Sequence, residues 1–253
     1  MNTIAPGCAH RATVDFQRLV ASTRPPEDGE DLEDARRGFI ATLPDAAIAR
    51  ADGTSVWNLA AYGFLAQEQA PDTVHPALWR QARLNVEHGL FKVTERIYQV
   101  RGFDIANITF IETDSGVVAF DALMVPETAA AALALYRAHR GPRPLLAVVY
   151  SHSHVDHFGG VTGLTSQAEV DAGQVQIIAP AGFMRAAVAE NVLAGVAMAR
   201  RAQFQFGNTL PIGPGAQVDS GLGKNLRRGR PGLIAPTREI AEPLETLVID
   251  GLT

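Results

Sequence analysis

The sequence predicts an α/β domain in which helices cover a largely buried β-sheet. Two observations carry that prediction. The runs at 145–151 and 174–180 are almost wholly apolar, which is typical of strands that are covered on both faces. Helical patterns at 126–141 and 181–202 alternate with the strands along the chain, as they do in layered α/β folds.

The earlier strands are predicted from their side chains and turns. The segment "FKVTERIYQV" (91–100) is aromatic and β-branched, and it is predicted as one strand. Further strands are predicted at 107–113 and 117–123. Because the short turn "DSG" separates these two, we expect them to form a hairpin.

The later elements follow from helix signals and apolar runs. Pro126 suits the first turn of the helix predicted at 126–141. Segment 181–202 is predicted as a single long helix, with the "AEN" of 189–191 in its middle. The runs "LIAPTREI" and "ETLVID" are predicted as late strands, which should leave an unpaired sheet edge.

Composition and charge exclude several classes of protein. The 253 residues are 47% hydrophobic and 19% charged, which is typical of a soluble globular protein. The net charge is -5, and "RRGR" (227–230) is the main basic cluster, so a nucleic-acid partner is not expected. No apolar run approaches the roughly 20 residues of a membrane span, and the absence of a signal-peptide pattern predicts a cytoplasmic protein. Cys8 is the single cysteine, which excludes an internal disulfide.

The stretch "VVYSHSHVDHFGG" (148–160) contains three of the seven histidines. His152 and His154 stand two apart where a buried strand becomes a loop, so their rings can converge on one cation. Asp156 and His157 follow at once and can hold a second ion nearby. Nitrogen and oxygen ligands without cysteine suit Zn²⁺, with Mn²⁺ or Fe²⁺ as alternatives. A surface histidine cluster without function is disfavoured, because four ligand-type residues occupy six positions.

The same stretch resembles the HxHxDH signature of the metallo-β-lactamase superfamily. From about residue 36 onward, "GLFKVTERIYQVRG" and "RRAQFQFGNTLPIGPGAQVDSGLGK" resemble the alkyl sulfatases of the dodecyl-sulfate-hydrolysing type. The resemblance implies a metallo-β-lactamase-like αβ/βα sandwich that is incomplete at its C-terminal end. Residues 1–35 would be an N-terminal extension, and 36–253 a partial domain.

This resemblance also implies a binuclear zinc hydrolase that acts on alkyl sulfate esters. His152 and His154 would ligate one zinc, and Asp156 and His157 the other. Asp156 would also be catalytic, because it would hold and orient the attacking water. Asp121 is either a carboxylate that supports the ligands or an ordinary turn aspartate, and the sequence leaves both interpretations open.

Other features that the family implies have no counterpart in this sequence. The family's remaining ligands, two glutamates and one histidine, lie further along a longer chain, as do its dimerisation region and a lipid-carrier-like region. With four ligands for two ions, we expect at most one weakly held zinc here. The sequence is therefore expected to be a fragment, a product of a split or frameshifted gene, or one chain of two. The family is homodimeric, and export of related bacterial enzymes stays open.

Two alternative functions also stay open. A hydrolase of the same fold that acts on a lactone, thioester or β-lactam is one, although the "GLFKV" and "GLGK" stretches speak against it. The other is a catalytically inactive remnant that persists as a metal-binding or interaction module, which the missing ligands favour. Stoichiometric metal content would separate this remnant from an enzyme.

Overall fold

An eight-stranded mixed sheet is the frame of the computed structural model, which describes residues 8–25, 29–224 and 229–253. Parts of the acidic segment 25–34 and of "RRGR" lie outside the described residues. The strands, numbered in chain order, are β1 (Phe39–Ala41), β2 (Ala47–Ala49), β3 (Ser55–Asn58), β4 (Gly89–Lys92), β5 (Ile97–Arg101), β6 (Ile108–Glu112), β7 (Val117–Phe120), β8 (Leu145–Val149), β9 (Gln176–Pro180) and β10 (Arg238–Ile240).

The large sheet has the order β1-β4-β5-β6-β7-β8-β9-β10, and β2 and β3 pair as a separate two-stranded sheet. Strands β1 and β4 to β7 are antiparallel neighbours, whereas β7 to β10 run parallel. The predicted hairpin of β6 and β7 is confirmed. The single strand predicted at 91–100 is wrong, because a turn divides it into β4 and β5, which pair with each other.

The helices supply the layer that the sequence predicted. They are α1 (Arg11–Thr23), α2 (Glu30–Arg36), α3 (Pro76–Leu84), α4 (Pro126–Arg140), α5 (Val155–Phe158), α6 (Gln167–Asp171), α7 (Phe183–Val188) and α8 (Gly195–Phe206). The single helix predicted at 181–202 is wrong, because a π-helical turn, Ala189–Leu193, separates α7 from α8. Helix α4 begins at Pro126 and ends before Gly141, as predicted.

The main core lies between α4 and one face of the sheet. Leu133 and Tyr136 of α4 are buried with Phe110 of β6, whose ring stacks on that of Tyr136 at 4.6 Å between centroids. The Tyr136 hydroxyl donates to Glu112, which also accepts two hydrogen bonds from Arg140. A buried carboxylate is thereby paired, as its desolvation requires. The α/β fold class is confirmed by this packing.

The opposite face of the sheet carries a smaller cluster of buried residues. Val118, Ala147 and Ile178 are buried there under the C-terminal segment 247–252. The strand predicted for "ETLVID" is wrong, since this segment forms only an isolated bridge between Ile249 and Leu252. The predicted strand "LIAPTREI" is shortened to β10, which lies at an edge of the sheet, as predicted.

The N-terminal helices lie at the periphery. Neither α1 nor α2 has a buried residue, so the division into an extension at 1–35 and a domain at 36–253 stays a prediction. In the part of the chain that the structure describes, no helix has the length and apolar character needed to cross a membrane.

Candidate metal centre

The histidine loop, residues 150–154, lies at the carboxyl end of β8, between the parallel strands β7 and β9. Ligands of open α/β sheets commonly bind at this end of the strands. Tyr150 anchors the loop: its buried ring stacks on Phe183 at 5.0 Å, and its hydroxyl donates to the Ile234 carbonyl. The loop therefore starts from a fixed point in the core.

Two glycines hold α5 close to the residues after β7. A Cβ at Gly160 would lie 2.1 Å from the Ala122 carbonyl oxygen, and one at Gly159 would lie 2.3 Å from that of Met124. Backbone hydrogen bonds close the same contact, because Ala122 N–H donates to the carbonyl of His157 at 2.8 Å. The end of α5 thus packs so closely on the residues after β7 that a side chain at Gly159 or Gly160 would collide with their backbone.

The four predicted ligand residues lie at one place. The His152 ring lies 4.6 Å from that of His154 and 4.1 Å from that of His157, measured between centroids. Nε2 of His157 lies 3.3 Å from Oδ2 of Asp156. Within residues 8–25, 29–224 and 229–253, however, no three His, Cys, Asp or Glu side chains already surround a common point as a metal site requires. The ligand assignment of these four residues therefore stays a prediction.

Asp121 supports this cluster, which decides the question that the sequence left open. Its carboxylate is buried and accepts hydrogen bonds from the Ser151 amide at 2.8 Å, the Ser151 hydroxyl at 3.0 Å and Nδ1 of His157 at 2.7 Å. The Asp121 backbone is left-handed, with a φ of 63°, an uncommon conformation for a residue other than glycine. Asp121 is therefore a supporting carboxylate, and no ordinary turn residue.

These hydrogen bonds fix which ring nitrogens are free. A carboxylate only accepts, so Nδ1 of His157 must carry a proton toward Asp121. The single hydroxyl proton of Ser151 also goes to Asp121, so the Ser151 oxygen accepts from Nδ1 of His152, 2.9 Å away. In His152 Nε2 is then left to face a cation, whereas Nε2 of His157 faces the Asp156 carboxylate. Metal-binding histidines commonly show this pattern, with the other nitrogen held by an oxygen.

The electrostatics of the cluster differ from residue to residue. Burial, with the neighbouring His157 and His154, lowers the pKa of His152, which keeps this ring neutral. Burial would also lower the pKa of His157, but hydrogen bonds with Asp121 and Asp156 outweigh it and raise the pKa to about 9. For Asp156, burial raises the pKa, but the contact with His157 prevails and lowers it. A cation at Nε2 of His157 would have to displace the proton that this nitrogen directs at Asp156.

Two residues of the π-helical turn reach this loop, and sequence reasoning missed both contacts. Glu190 Oε1 lies 3.3 Å from Nε2 of His154, and Asn191 Nδ2 donates to the Ser153 carbonyl. The sequence predicted "AEN" in the middle of an unbroken helix, with no contact to the histidine loop. No local pattern marks the π-turn that redirects these side chains.

The remaining histidines lie outside this cluster and have other contacts. His10 and His75 each accept a hydrogen bond from the amide two residues later, and so cap α1 and α3. His139 lies in the last turn of α4. Nδ1 of His88 lies 2.8 Å from the carbonyl of Val86.

A family model described as the metallo-beta-lactamase superfamily matches residues 101–238, more than half of the chain. The chain belongs to the metallo-β-lactamase superfamily. The matched range includes α5 and all four predicted ligands, and it ends in β10. The superfamily and its fold, which the HxHxDH stretch predicted, are thereby confirmed.

Within the metallo-β-lactamase superfamily, the chain is similar to several proteins described as sulfatases. The chain is 50% identical over 233 residues to an alkyl/aryl-sulfatase of Saccharomyces cerevisiae, and 51% identical over 234 residues to an (R)-specific secondary-alkylsulfatase of Pseudomonas sp. Each alignment covers 92% of this chain but only 36% and 35% of those two proteins. The stereoselective inverting sec-alkylsulfatase Pisa1 from Pseudomonas sp. superposes with a TM-score of 0.93 at 49% identity, over 99% of this chain and 39% of its own.

Membership in the metallo-β-lactamase superfamily implies metal binding, typically of zinc, and the donor set fits it. With bonds of about 2.0–2.2 Å and tetrahedral angles, a nitrogen and an oxygen on one zinc lie about 3.3–3.5 Å apart. Nε2 of His157 and Oδ2 of Asp156 are 3.3 Å apart. Two further imidazoles adjoin this pair, and Asp121 holds the ring from outside.

Proposed function

We propose that this chain carries part of the metal centre of an alkyl sulfatase, which hydrolyses alkyl sulfate esters. The observation that carries the proposal is the supported donor cluster at the end of β8, in a chain half identical to proteins described as alkyl sulfatases. His152 and His154 would hold one zinc, and Asp156 and His157 a second. Two tetrahedral zinc ions take about six protein ligands or more, so donors beyond these four, from another segment or another chain, belong to the proposal.

The residues of this chain have distinct tasks in the proposed reaction. Bound zinc would supply Lewis-acid chemistry that stabilises negative charge and activates water. Asp156, whose lowered pKa keeps it ionised, accepts a hydrogen bond from the attacking water and so orients that water toward the ester. Asp121 keeps the His157 ring in place through the 2.7 Å hydrogen bond.

An apolar strip beside the cluster supports an alkyl substrate. Val188, Val192, Leu193 and Val196 lie on and around the π-helical turn that carries Glu190, and they are exposed by 40%, 70%, 81% and 70%. Burying such side chains against a hydrocarbon chain is favourable by about 25 cal/mol per Å² of apolar surface. We place the alkyl chain along this strip.

A chimera tests the proposal. This chain is joined to the C-terminal part of the (R)-specific secondary-alkylsulfatase, loaded with zinc and assayed for sulfate release from dodecyl sulfate and 2-octyl sulfate. We expect turnover that His154→Ala and Asp156→Asn abolish, and that His139→Ala, on α4, leaves unchanged. The 253-residue chain alone is expected to release no sulfate.

Two results would contradict the proposal. One is a chimera that folds and binds zinc but releases no sulfate, while the parent sulfatase is active in the same assay. The other is faster cleavage of a lactone, thioester or β-lactam, which would move the function to the other hydrolase class of the same fold.

A further inference from the structure

The π-helical turn Ala189–Leu193 places two consecutive polar side chains against the histidine loop. Asn191 Nδ2 donates to the Ser153 carbonyl at 3.3 Å and to the Ala187 carbonyl at 2.9 Å, which ties the turn to the loop. Glu190 reaches Nε2 of His154, with 3.3 Å between nitrogen and oxygen. Turns of this kind are rare and occur frequently at functional sites.

His154 differs from its two neighbours in how its ring is held. Nδ1 of His152 is held by the hydroxyl oxygen of Ser151, at 2.9 Å, and Nδ1 of His157 by the carboxylate of Asp121, at 2.7 Å. The His154 side chain is 57% exposed, and the carboxylate next to it comes from the π-helical turn and faces Nε2 instead. An exposed imidazole without an oriented partner exchanges freely between its two neutral tautomers.

We propose that Glu190 is a positioning residue of the metal centre: it accepts a proton from Nε2 of His154 and so turns Nδ1 of that ring toward the metal. The zinc proposed for these two histidines would then meet Nε2 of His152 and Nδ1 of His154. This proposal rests on the metal-binding part of the proposed function and is independent of the sulfate-ester substrate.

The geometry of the loop gives a reason for the opposite nitrogen. His152 and His154 are only two residues apart, and their rings meet edge to face at 68°. Nδ1 lies closer to the backbone than Nε2. Two such rings therefore reach a common point more easily when one binds through Nε2 and the other through Nδ1. Asn191 fixes the carbonyl of Ser153 between them, and Glu190 selects the tautomer.

Tautomers and zinc affinity test the proposal on the 253-residue chain. Long-range ¹H–¹⁵N spectra of the metal-free protein, recorded where the imidazole is neutral, should show His154 protonated on Nε2. Glu190→Gln keeps an acceptor oxygen and should keep that tautomer, whereas Glu190→Ala should give a mixture of both. In competition with a chromophoric chelator, Glu190→Ala should weaken zinc binding by about 10- to 100-fold, as loss of such outer partners commonly does.

Glu242→Ala, at an exposed late turn, is the control and should change neither the tautomer nor the affinity. An Nδ1-protonated His154 in the unsubstituted protein would overturn the proposal, and so would unchanged zinc affinity in Glu190→Ala. Equal weakening in Glu190→Gln and Glu190→Ala would also overturn it, because it would make Glu190 a direct ligand. If the chain binds no zinc, the metal-binding part of the proposed function fails, while the His154 tautomer still decides the role of Glu190.

Discussion

At the scale of single residues, the geometry of the donor cluster depends on Asp121. Its carboxylate accepts from both the amide and the hydroxyl of Ser151 and from the ring of His157. It thus ties the residue before the first predicted ligand to the last one. Its left-handed backbone is a small cost that these three hydrogen bonds offset.

Asp121→Asn should weaken zinc binding while leaving the fold intact. Asparagine fits the left-handed backbone, but its amide replaces a charged acceptor for the Nδ1 proton of His157 with a weaker one. We expect zinc affinity to fall by about 10- to 100-fold, measured by chelator competition, with an unchanged thermal midpoint within a few degrees. The exposed Asp45→Asn is the control. Equal affinities in the two variants would show that Asp121 does not support the site.

Which residues of the candidate site could be predicted from the sequence depends on how far apart they lie along the chain. The sequence predicts that the four proposed ligand residues lie together, because they are neighbours in one loop after an apolar strand. Asp121 stayed open because it approaches that loop only through the parallel register of β7 and β8, in which Phe120 pairs with Val149. Glu190 was missed because its direction depends on a π-helical turn without a local signal.

At the scale of elements, a buried ion pair joins the "GLGK" turn to α3. Lys224 Nζ donates to Asp219 at 2.7 Å and to the Ala82 carbonyl at 2.7 Å, and both charged side chains are fully buried. Burial lowers the pKa of Lys224, and the neighbouring Asp219 opposes that shift. The other oxygen of Asp219 accepts from Asn85, so the pair is hydrogen-bonded on both sides.

Lys224→Met should destabilise the fold strongly, because it leaves Asp219 buried without its cation. Breaking a buried pair typically costs about 3–5 kcal/mol in the free energy of unfolding, whereas an exposed pair is worth about 0–1 kcal/mol. Lys92→Met, which removes a surface pair with Glu95, is the control. Urea unfolding measures both, and Asp219→Asn added to Lys224→Met should recover part of the loss. Similar losses for the two lysines would contradict the argument.

Two of the elements that sequence reasoning misassigned have different physical causes. The turn between β4 and β5, residues 93–96, reads "VTER" and contains no glycine, proline or asparagine to mark it. The "ETLVID" run has the apolar character of a strand. Its Leu247 and Ile249 pack on the buried cluster of Val118, Ala147 and Ile178, but the run does not join the sheet. In the first case a turn has no local signal, and in the second an apolar run is buried by tertiary contacts without becoming a strand.

At the scale of the whole molecule, the carboxylate of Asp250 binds the C-terminal segment 247–252 to the turn between β6 and β7. Asp250 accepts hydrogen bonds from the Thr113 hydroxyl and from the amide and hydroxyl of Ser115, in the turn between β6 and β7. These bonds, that of Thr113 foremost, lower the pKa of Asp250 from 3.8 to about 2. The segment is thereby held over Val118, Ala147 and Ile178 on that face of the sheet.

This fastening should give stability a defined pH dependence. The folded-state pKa lies below the unfolded value, so the contribution is fully present above pH 3.8 and is lost as pH falls through about 2. Asp250→Asn should therefore lower the urea midpoint at pH 5, and the difference from the unsubstituted protein should shrink between pH 4 and pH 2. A difference that stays constant over this range would exclude the carboxylate as its source.

The sheet topology also sets an order of assembly. Strands β4, β5, β6 and β7 pair one after another through short connections. Strand β8 pairs with β7 only after the crossover through α4. Local contacts form faster than distant ones, so during refolding the amides of β5 and β6 should gain hydrogen-exchange protection before those of Asp121 and Ser151. Simultaneous protection in pulse labelling would contradict this order. Zinc would then be captured by a frame that has already folded, unlike the metal in small zinc domains, which directs their folding.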